Sequence, residues 1–131
     1  MFRRLYAVGW PIRRMRLVDH YRGDDGLSMS ANNTSAYNCR RTTGGDRWSE
    51  HSYGRAIDIN PIQNPYVKGS FVAPEEGRRY ARIDRSADAP LIRGAVRSAD
   101  FVVTAFAEVG WQWGGYWTNS KDYQHFSSTG R

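Results

Sequence analysis

The sequence contains a single cysteine, Cys39, and no long apolar run. One cysteine excludes an internal disulfide and argues against a disulfide-stabilised scaffold, but it does not argue against export. No stretch approaches the roughly 18 apolar residues of a membrane span, and the amino terminus lacks the apolar core of a signal peptide. Internal repeats and low-complexity tracts are also missing. We therefore expect a chain without a membrane span, trimmed of an upstream signal or domain.

The composition predicts one globular domain over residues 1–131, because 40% of the residues are hydrophobic and 14% are aromatic. The net charge of +6 favours anionic partners. The arginines are spread along the chain, however, with no dense basic block and no aromatic RNA-binding signature, so a nucleic acid partner is not expected. A positive exterior suits an enzyme that works on an anionic polymer, and it suits a merely soluble surface equally well.

Helical and strand patterns are mixed along the chain, which favours the α+β class. The periodicity predicts helices over 2–9 and 100–109, strands over 12–18, 36–40, 55–60, 111–113 and 123–126, and a loop-like segment over 66–93. A loop of that length is often functional, so we interpret it as a rim or lid. Cys39 is interpreted as a small buried residue of its strand rather than as a nucleophile.

Two distant segments carry the residue types of one metal site. Residues 49–60 include His51 and Asp58, and residues 122–126 include His125. Zinc binds imidazole nitrogen and carboxylate oxygen, and a hydrolytic zinc keeps one position open for water. These three residues are therefore candidate ligands of a Zn²⁺ ion.

The local pattern indicates how the first two candidates could meet. Alternation along the 55–60 strand places Asp58 opposite the core-facing Ile57 and Ile59, so that its carboxylate is available to a cleft. His51 lies seven residues earlier, too far for one turn of helix. Gly54 permits a bend that folds His51 back toward Asp58.

Asp122 and Arg40 are the candidate catalytic residues. Asp122 precedes His125 by three positions, which would point the two side chains to opposite faces of a flat strand, so we expect a turn or bulge near 121–122. A carboxylate there could take a proton from the attacking water and pass it to a leaving amine. Stabilising the oxyanion requires a cation, and either Arg40 or Arg41 could supply it. Because neighbours on a strand face opposite ways, only one of the two should reach the zinc.

Other chemically suggestive residues have simpler interpretations. His20 is expected to be an ordinary surface or core histidine. The aromatic cluster just before the last candidate ligand is expected to form core and cleft wall rather than a cofactor site; it comprises Trp111, Trp113, Tyr116 and Trp117.

The combined pattern resembles a known peptidase family. Ser49-x-His51-x-x-Gly54-x-Ala56-x-Asp58, followed by Asp122-x-x-His125, is similar to the zinc peptidases that include D-alanyl-D-alanine carboxypeptidases and dipeptidases and phage L-alanyl-D-glutamate endopeptidases. The Hedgehog signalling domain shares that fold. The strings at 37–40, 51–61 and 64–67 resemble the extracellular endopeptidase-like branch, and the resemblance covers residues 1–127.

The resemblance implies a role for each matching position. His51, Asp58 and His125 would bind zinc, Asp122 would be the catalytic carboxylate, and Arg40 would stabilise the oxyanion or the substrate carbonyl. The fold would be a small antiparallel sheet with flanking helices and a cleft across the sheet. Asp at position 122, where some relatives have Glu, is within the family's range. Helical material before the first strand is short here.

The function that we infer from the sequence is zinc-dependent hydrolysis of amide bonds in peptidoglycan stem peptides, by a monomeric extracellular or cell-wall enzyme. The first alternative is a binding module of the same fold with weak or no catalysis, against which Asp122 and Arg40 argue. The second is a metal-dependent nuclease, which would prefer a carboxylate-rich two-metal cluster that the motifs do not supply. Whether the enzyme is an exo- or endopeptidase stays open.

Overall fold

The computed structural model describes all 131 residues. It contains three short α-helices, α1 (Phe2–Ala7), α2 (Asp25–Ser30) and α3 (Phe101–Ala107). The six strands are β1 (Ala56–Asp58), β2 (Tyr66–Lys68), β3 (Phe71–Ala73), β4 (Gln112–Trp113), β5 (Lys121–Asp122) and β6 (His125–Ser127). Turns of 3₁₀-helix occur at Val18–Tyr21, Glu50–Tyr53, Glu75–Tyr80 and Gly114–Tyr116. No helix combines the length and the apolar character that a membrane span requires.

The strands form two small antiparallel sheets, which confirms the α+β class. The first sheet has the order β1-β6-β4, with Asp58 opposite His125 and Ile57 opposite Phe126. The second has the order β3-β2-β5, with Tyr66 opposite Asp122. Two segments that are remote in sequence, β1 and β6, are therefore hydrogen-bonded neighbours.

The hydrophobic core lies between the first sheet and α3. Phe106 of α3 stacks on Phe126 of β6 with ring centroids 4.3 Å apart, and both side chains are almost fully buried. Leu5 of α1 belongs to the same cluster, so the amino-terminal helix packs onto α3. This apolar layer supports the first sheet from the side opposite the candidate site.

A buried polar network holds the long 61–98 segment against the sheet. The side chain of Asn64 is inaccessible to solvent; its amide donates to Gly94 O at 2.9 Å, and its oxygen accepts from Val96 N and from Arg85 Nη1. The Arg85 guanidinium also lies 4.0 Å from the ring centroid of Tyr123, between β5 and β6. The network therefore connects the long segment to the turn beside the candidate site.

The helices predicted over 2–9 and 100–109 are present as the shorter α1 and α3, and the strands predicted over 55–60 and 111–113 as the shorter β1 and β4. Of the strand predicted over 123–126, only His125 and Phe126 belong to a strand. The predicted strands over 12–18 and 36–40 are wrong, because only isolated bridges form at Met15, Ser35 and Arg41. Side chains satisfy the backbone there instead: Arg16 N donates to Asn33 Oδ1, and Arg40 N donates to Ser52 Oγ.

The loop-like interpretation of 66–93 is wrong for its first half. β2 and β3 form a hairpin whose two-residue turn begins at Gly69, with φ of +59°, a conformation that glycine adopts without steric cost. Cys39 is exposed and lies outside any strand, so the prediction of a buried cysteine is also wrong.

Candidate metal centre

Three buried side chains from three different elements converge at one end of β1 and β6. His51 Nε2 lies 3.1 Å from Asp58 Oδ2, and His125 Nδ1 lies 3.0 Å from Asp58 Oδ1. The two imidazole nitrogens are 3.3 Å apart. The structure thus brings together the three residues that the sequence predicts as ligands.

Strand pairing places Asp58 and His125 side by side. The backbone N–H and C=O of Asp58 both bond to Ser35 rather than to β6. Asp58 and His125 are therefore a non-hydrogen-bonded antiparallel pair, the type in which opposed side chains lie closest.

A turn of 3₁₀-helix directs His51 toward the strand. Ser49 Oγ accepts from His51 N at the start of the turn, and Gly54 ends it with φ of +65°. Because that left-handed conformation suits glycine, the chain reverses there and enters β1 with Arg55 N bonded to Glu50 O. The predicted bend at Gly54 is therefore present.

Backbone carbonyls orient both imidazole rings. Ala36 O lies 2.6 Å from His51 Nδ1, and Arg131 O lies 3.0 Å from His125 Nε2. Each carbonyl can accept only from an N–H, so the proton of each neutral ring is held on the outer nitrogen. The lone pairs of His51 Nε2 and His125 Nδ1 are then directed at the space beside Asp58.

The donor set fits a tetrahedral metal ion. Ligands at 2.0–2.1 Å from a tetrahedral zinc are about 3.3 Å from one another, which matches the 3.3 Å between the two imidazole nitrogens. Each nitrogen also lies 3.0–3.1 Å from a different oxygen of Asp58, and one donor atom from each of the three residues lies within 4.8 Å of the other two. A typical metal site combines such ligands with partners that orient them. Here the ligands would be two neutral imidazoles and one carboxylate, and a backbone carbonyl orients each ring.

The electrostatics of the metal-free cluster follow from the proximity of unlike charges. Burial alone would raise the pKa of Asp58, but the adjacent His51 and His125 outweigh it and hold that pKa below its ordinary value. Burial lowers the pKa of His125, but the hydrogen bond and charge of Asp58 and the charge of Asp122 raise it from 6.5 to about 9. A bound cation would displace the proton that His125 carries.

Asp122 lines the same cleft from the second sheet. The chain bends at Tyr123 and Gln124 between β5 and β6, so that the odd spacing to His125 no longer separates the two side chains. The turn that we expected near 121–122 thus lies one to two residues later. Asp122 Oδ1 is buried and has no hydrogen-bond partner, and burial raises the pKa of Asp122 to about 7.

Gly114 leaves the space that Asp122 occupies. A Cβ atom at Gly114 would lie 2.7 Å from the backbone oxygen of Asp122 and 3.3 Å from His125 Cβ. The 3₁₀ turn at Gly114–Tyr116 can therefore pack against β5 and β6 only because residue 114 lacks a side chain.

Arg40 reaches the cluster, whereas Arg41 does not. Arg40 Nη2 lies 3.6 Å from Asp58 Oδ2, and its Nε lies 3.0 Å from Asp25 Oδ1. Arg41 stacks on Trp48 at 4.1 Å. Sequence reasoning missed Asp25, because Asp24-Asp25-Gly26 looks like a turn; in the structure Asp24 caps α2 and Asp25 faces Arg40.

The cluster opens into a cleft of about 860 Å³. Trp117 lines it, with its ring centroid 5.4 Å from that of His125, whereas Trp113 is a core residue. The aromatic cluster is therefore divided between core and cleft wall. His20 is exposed, and its Nε2 lies 2.7 Å from Arg16 Nη1. It does not line the cleft, so it is an ordinary surface histidine.

Comparison with known families gave one match. The family model described as D-alanyl-D-alanine carboxypeptidase matches residues 43–128, two-thirds of the chain, and this range contains all three clustered residues and Asp122. Arg40 lies just before it. No curated protein and no solved structure gave a significant match.

Proposed function

This chain belongs to the D-alanyl-D-alanine carboxypeptidase family and is a metallopeptidase, and we propose that it uses zinc to hydrolyse amide bonds in bacterial peptidoglycan stem peptides. The observation that carries the proposal is the convergence of His51, Asp58 and His125 within one buried cluster. A cluster of this kind at the floor of a large cleft suits a substrate larger than a single amino acid.

His51, Asp58 and His125 would hold the metal, since one donor atom from each lies within 4.8 Å of the other two and the two imidazole nitrogens are 3.3 Å apart. A bound zinc supplies a Lewis acid that polarises the scissile carbonyl and lowers the pKa of water to about 7. With only three protein ligands, the site would leave the metal accessible to water and substrate.

Asp122 is the best candidate for the proton carrier. Its buried Oδ1 has no partner within the protein, and its pKa is raised to about 7 in the metal-free cluster. A carboxylate in that position can accept a proton from the attacking water and deliver it to the nitrogen of the leaving amine. Asp122 accepts one proton and delivers one proton in each hydrolysis, so its carboxylate returns to its starting protonation state.

Arg40 is the best candidate for the group that stabilises negative charge on the substrate oxygen. Its guanidinium lines the cleft and is held in place by Asp25 on one side and Asp58 on the other. A cation that is already fixed needs little rearrangement as charge develops, which is the basis of electrostatic catalysis.

The location and the oligomeric state of the enzyme are also part of the proposal. We propose an extracellular or cell-wall location, because the substrate class lies there and because the net charge of +6 favours anionic polymers. We also propose a monomer acting alone, since one chain supplies all three clustered residues, Asp122 and Arg40.

Metal analysis and product mass spectrometry test the proposal together. Protein purified without chelator should contain close to one zinc per chain, and defined stem peptides should be cleaved at a single amide bond. Release of a terminal D-alanine would identify a carboxypeptidase, and internal cleavage an endopeptidase. Absence of zinc together with absence of cleavage in added zinc would contradict the proposal and favour a binding module of the same fold.

A further inference from the structure

Residues 41–48 form a narrow, hairpin-like flap at the rim of the cleft. Arg41 and Trp48 form an antiparallel bridge, and Thr42 N donates to Arg47 O at 2.9 Å. The base of the flap is anchored by a bond from Ser49 N to Arg40 O at 3.0 Å. The flap therefore begins directly beside the Arg40 that reaches Asp58.

Arg41 is fixed in a definite position on this flap. Its guanidinium lies over the indole of Trp48, 4.1 Å from the ring centroid, and its Nη1 donates to the backbone carbonyl of Asp46. Stacking on an aromatic face leaves the remaining N–H groups in the guanidinium plane free to donate at its edge. Trp48 is 45% exposed, so the stacked pair is open to the cleft that both residues line.

The two arginines of the flap, Arg41 and Arg47, are not paired with any carboxylate of the protein. Arg40 pairs with Asp25 and Asp58, and Arg55 pairs with Glu50. Neither Arg41 nor Arg47 forms an ion pair, although both are exposed and both line the cleft. Two unpaired cations at the mouth of a cleft attract an anionic group, and a fixed guanidinium edge matches a carboxylate.

We propose that Arg41, Arg47 and Trp48 form a subsite that binds a free carboxylate on an acidic residue of the peptide substrate. The inference rests on the proposed function and deepens it, because the subsite would select stem peptides that carry that carboxylate over amidated ones. The flap adjoins Arg40, so anchoring a carboxylate there also determines which amide bond reaches the metal cluster.

Paired synthetic peptides test the subsite. Two otherwise identical stem peptides are compared. One carboxylate of the acidic residue, on its side chain or its α-carbon, is free in the first peptide and amidated in the second. Wild-type enzyme should prefer the free carboxylate by about tenfold in kcat/KM, mainly through KM, as expected for charge-assisted hydrogen bonds. The double variant Arg41→Gln/Arg47→Gln should lose this preference, so that its kcat/KM is similar for the two peptides.

A matched control separates local from overall charge. Arg82→Gln/Arg93→Gln removes the same charge from two exposed arginines outside the cleft and should keep the tenfold preference. Trp48→Leu should reduce the preference partly, because Arg41 loses its stacking surface. Equal cleavage of both peptides by wild type, or an unchanged preference in Arg41→Gln/Arg47→Gln, would overturn the subsite.

Isothermal titration calorimetry can test the subsite even if the protein does not cleave the peptides. If neither peptide is cleaved with zinc present, the proposed function is wrong, but binding of the two peptides can still be measured. Tighter binding of the free carboxylate to wild type than to Arg41→Gln/Arg47→Gln would support an anion subsite. Equal binding would overturn it.

Discussion

Asp58 and His125 occupy opposed positions on β1 and β6, with Asp58 Oδ1 3.0 Å from His125 Nδ1. Ser35 takes both backbone hydrogen bonds of Asp58, so this is the close, non-hydrogen-bonded type of pair. One backbone register therefore sets the relative position of two candidate ligands from distant segments. Only His51 must be added, and its 3₁₀ turn leads directly into β1.

Asp58→Asn should abolish high-affinity metal binding. The change keeps the shape of the side chain but removes the negative charge that both imidazoles face. Zinc affinity should fall by more than the 10- to 100-fold that is typical of losing an outer-shell partner. Competition with a chromophoric chelator measures the affinity, and Asp88→Asn, on the exposed surface, is the control. Unchanged affinity would remove Asp58 from the ligand set.

Asp122→Asn should separate catalysis from metal binding. An amide cannot accept the proton of the attacking water, so kcat should fall by about 10²–10⁴-fold. Zinc content should stay near that of wild type, because Asp122 is not one of the three clustered donors. Activity within a few-fold of wild type would show that another group carries the proton, and equal inactivity of both proteins would indicate a binding module.

Gly114→Ala should reduce activity by displacing Asp122. The added Cβ would lie 2.7 Å from the Asp122 backbone oxygen, so the backbone must shift. A displacement on the order of 1 Å at a catalytic group costs about 10²-fold in rate. Steady-state kinetics and a crystal structure of the variant check this, and full activity with Asp122 unmoved would contradict it.

The metal-free protein should lose stability as pH rises from about 6.5 to about 9. The pKa of His125 is raised from 6.5 to about 9 by Asp58 and Asp122, so protonated His125 stabilises the fold. That contribution is complete below pH 6.5 and disappears as pH passes 9, and its upper limit is about 3 kcal/mol. Urea unfolding in chelator across this range measures it.

Two histidine variants provide the comparison for this pH dependence. His125→Asn should have a flatter profile, because the titrating group is gone. His20→Asn removes an exposed histidine outside the cluster and should keep the wild-type slope. A slope that is the same in His125→Asn as in wild type would assign the pH dependence to another group.

Phe126→Ala should destabilise the protein by about 3–5 kcal/mol, because a fully buried ring stacked on Phe106 would leave a cavity. Phe71 is 51% exposed, so Phe71→Ala should cost much less. Chemical denaturation of both variants tests the comparison. A similar loss at both positions would show that the core is not centred on Phe126.

The sequence predicted α1, α3 and β1 because their apolar periodicity is strong. It failed where hydrogen bonds from side chains replace the backbone pairing of a sheet. At 12–18 and 36–40 the backbone donors of Arg16 and Arg40 bond to Asn33 and Ser52, a solution that alternation does not reveal. Asp25 was missed for a related reason. Its neighbour Asp24 caps α2, and a cap and a turn have the same composition.

The order of residue types specifies which chemistry is available: two histidines and two carboxylates in two spaced segments, with a glycine where the chain must bend. Residue type and local spacing suffice for that, because zinc ligands and glycine turns depend on side-chain identity. The tertiary structure alone decided that Asp122 belongs to a second sheet, that Arg40 and not Arg41 reaches Asp58, and that Arg41 stacks on Trp48. Those relationships depend on strand register and on contacts between distant segments, which no local pattern encodes.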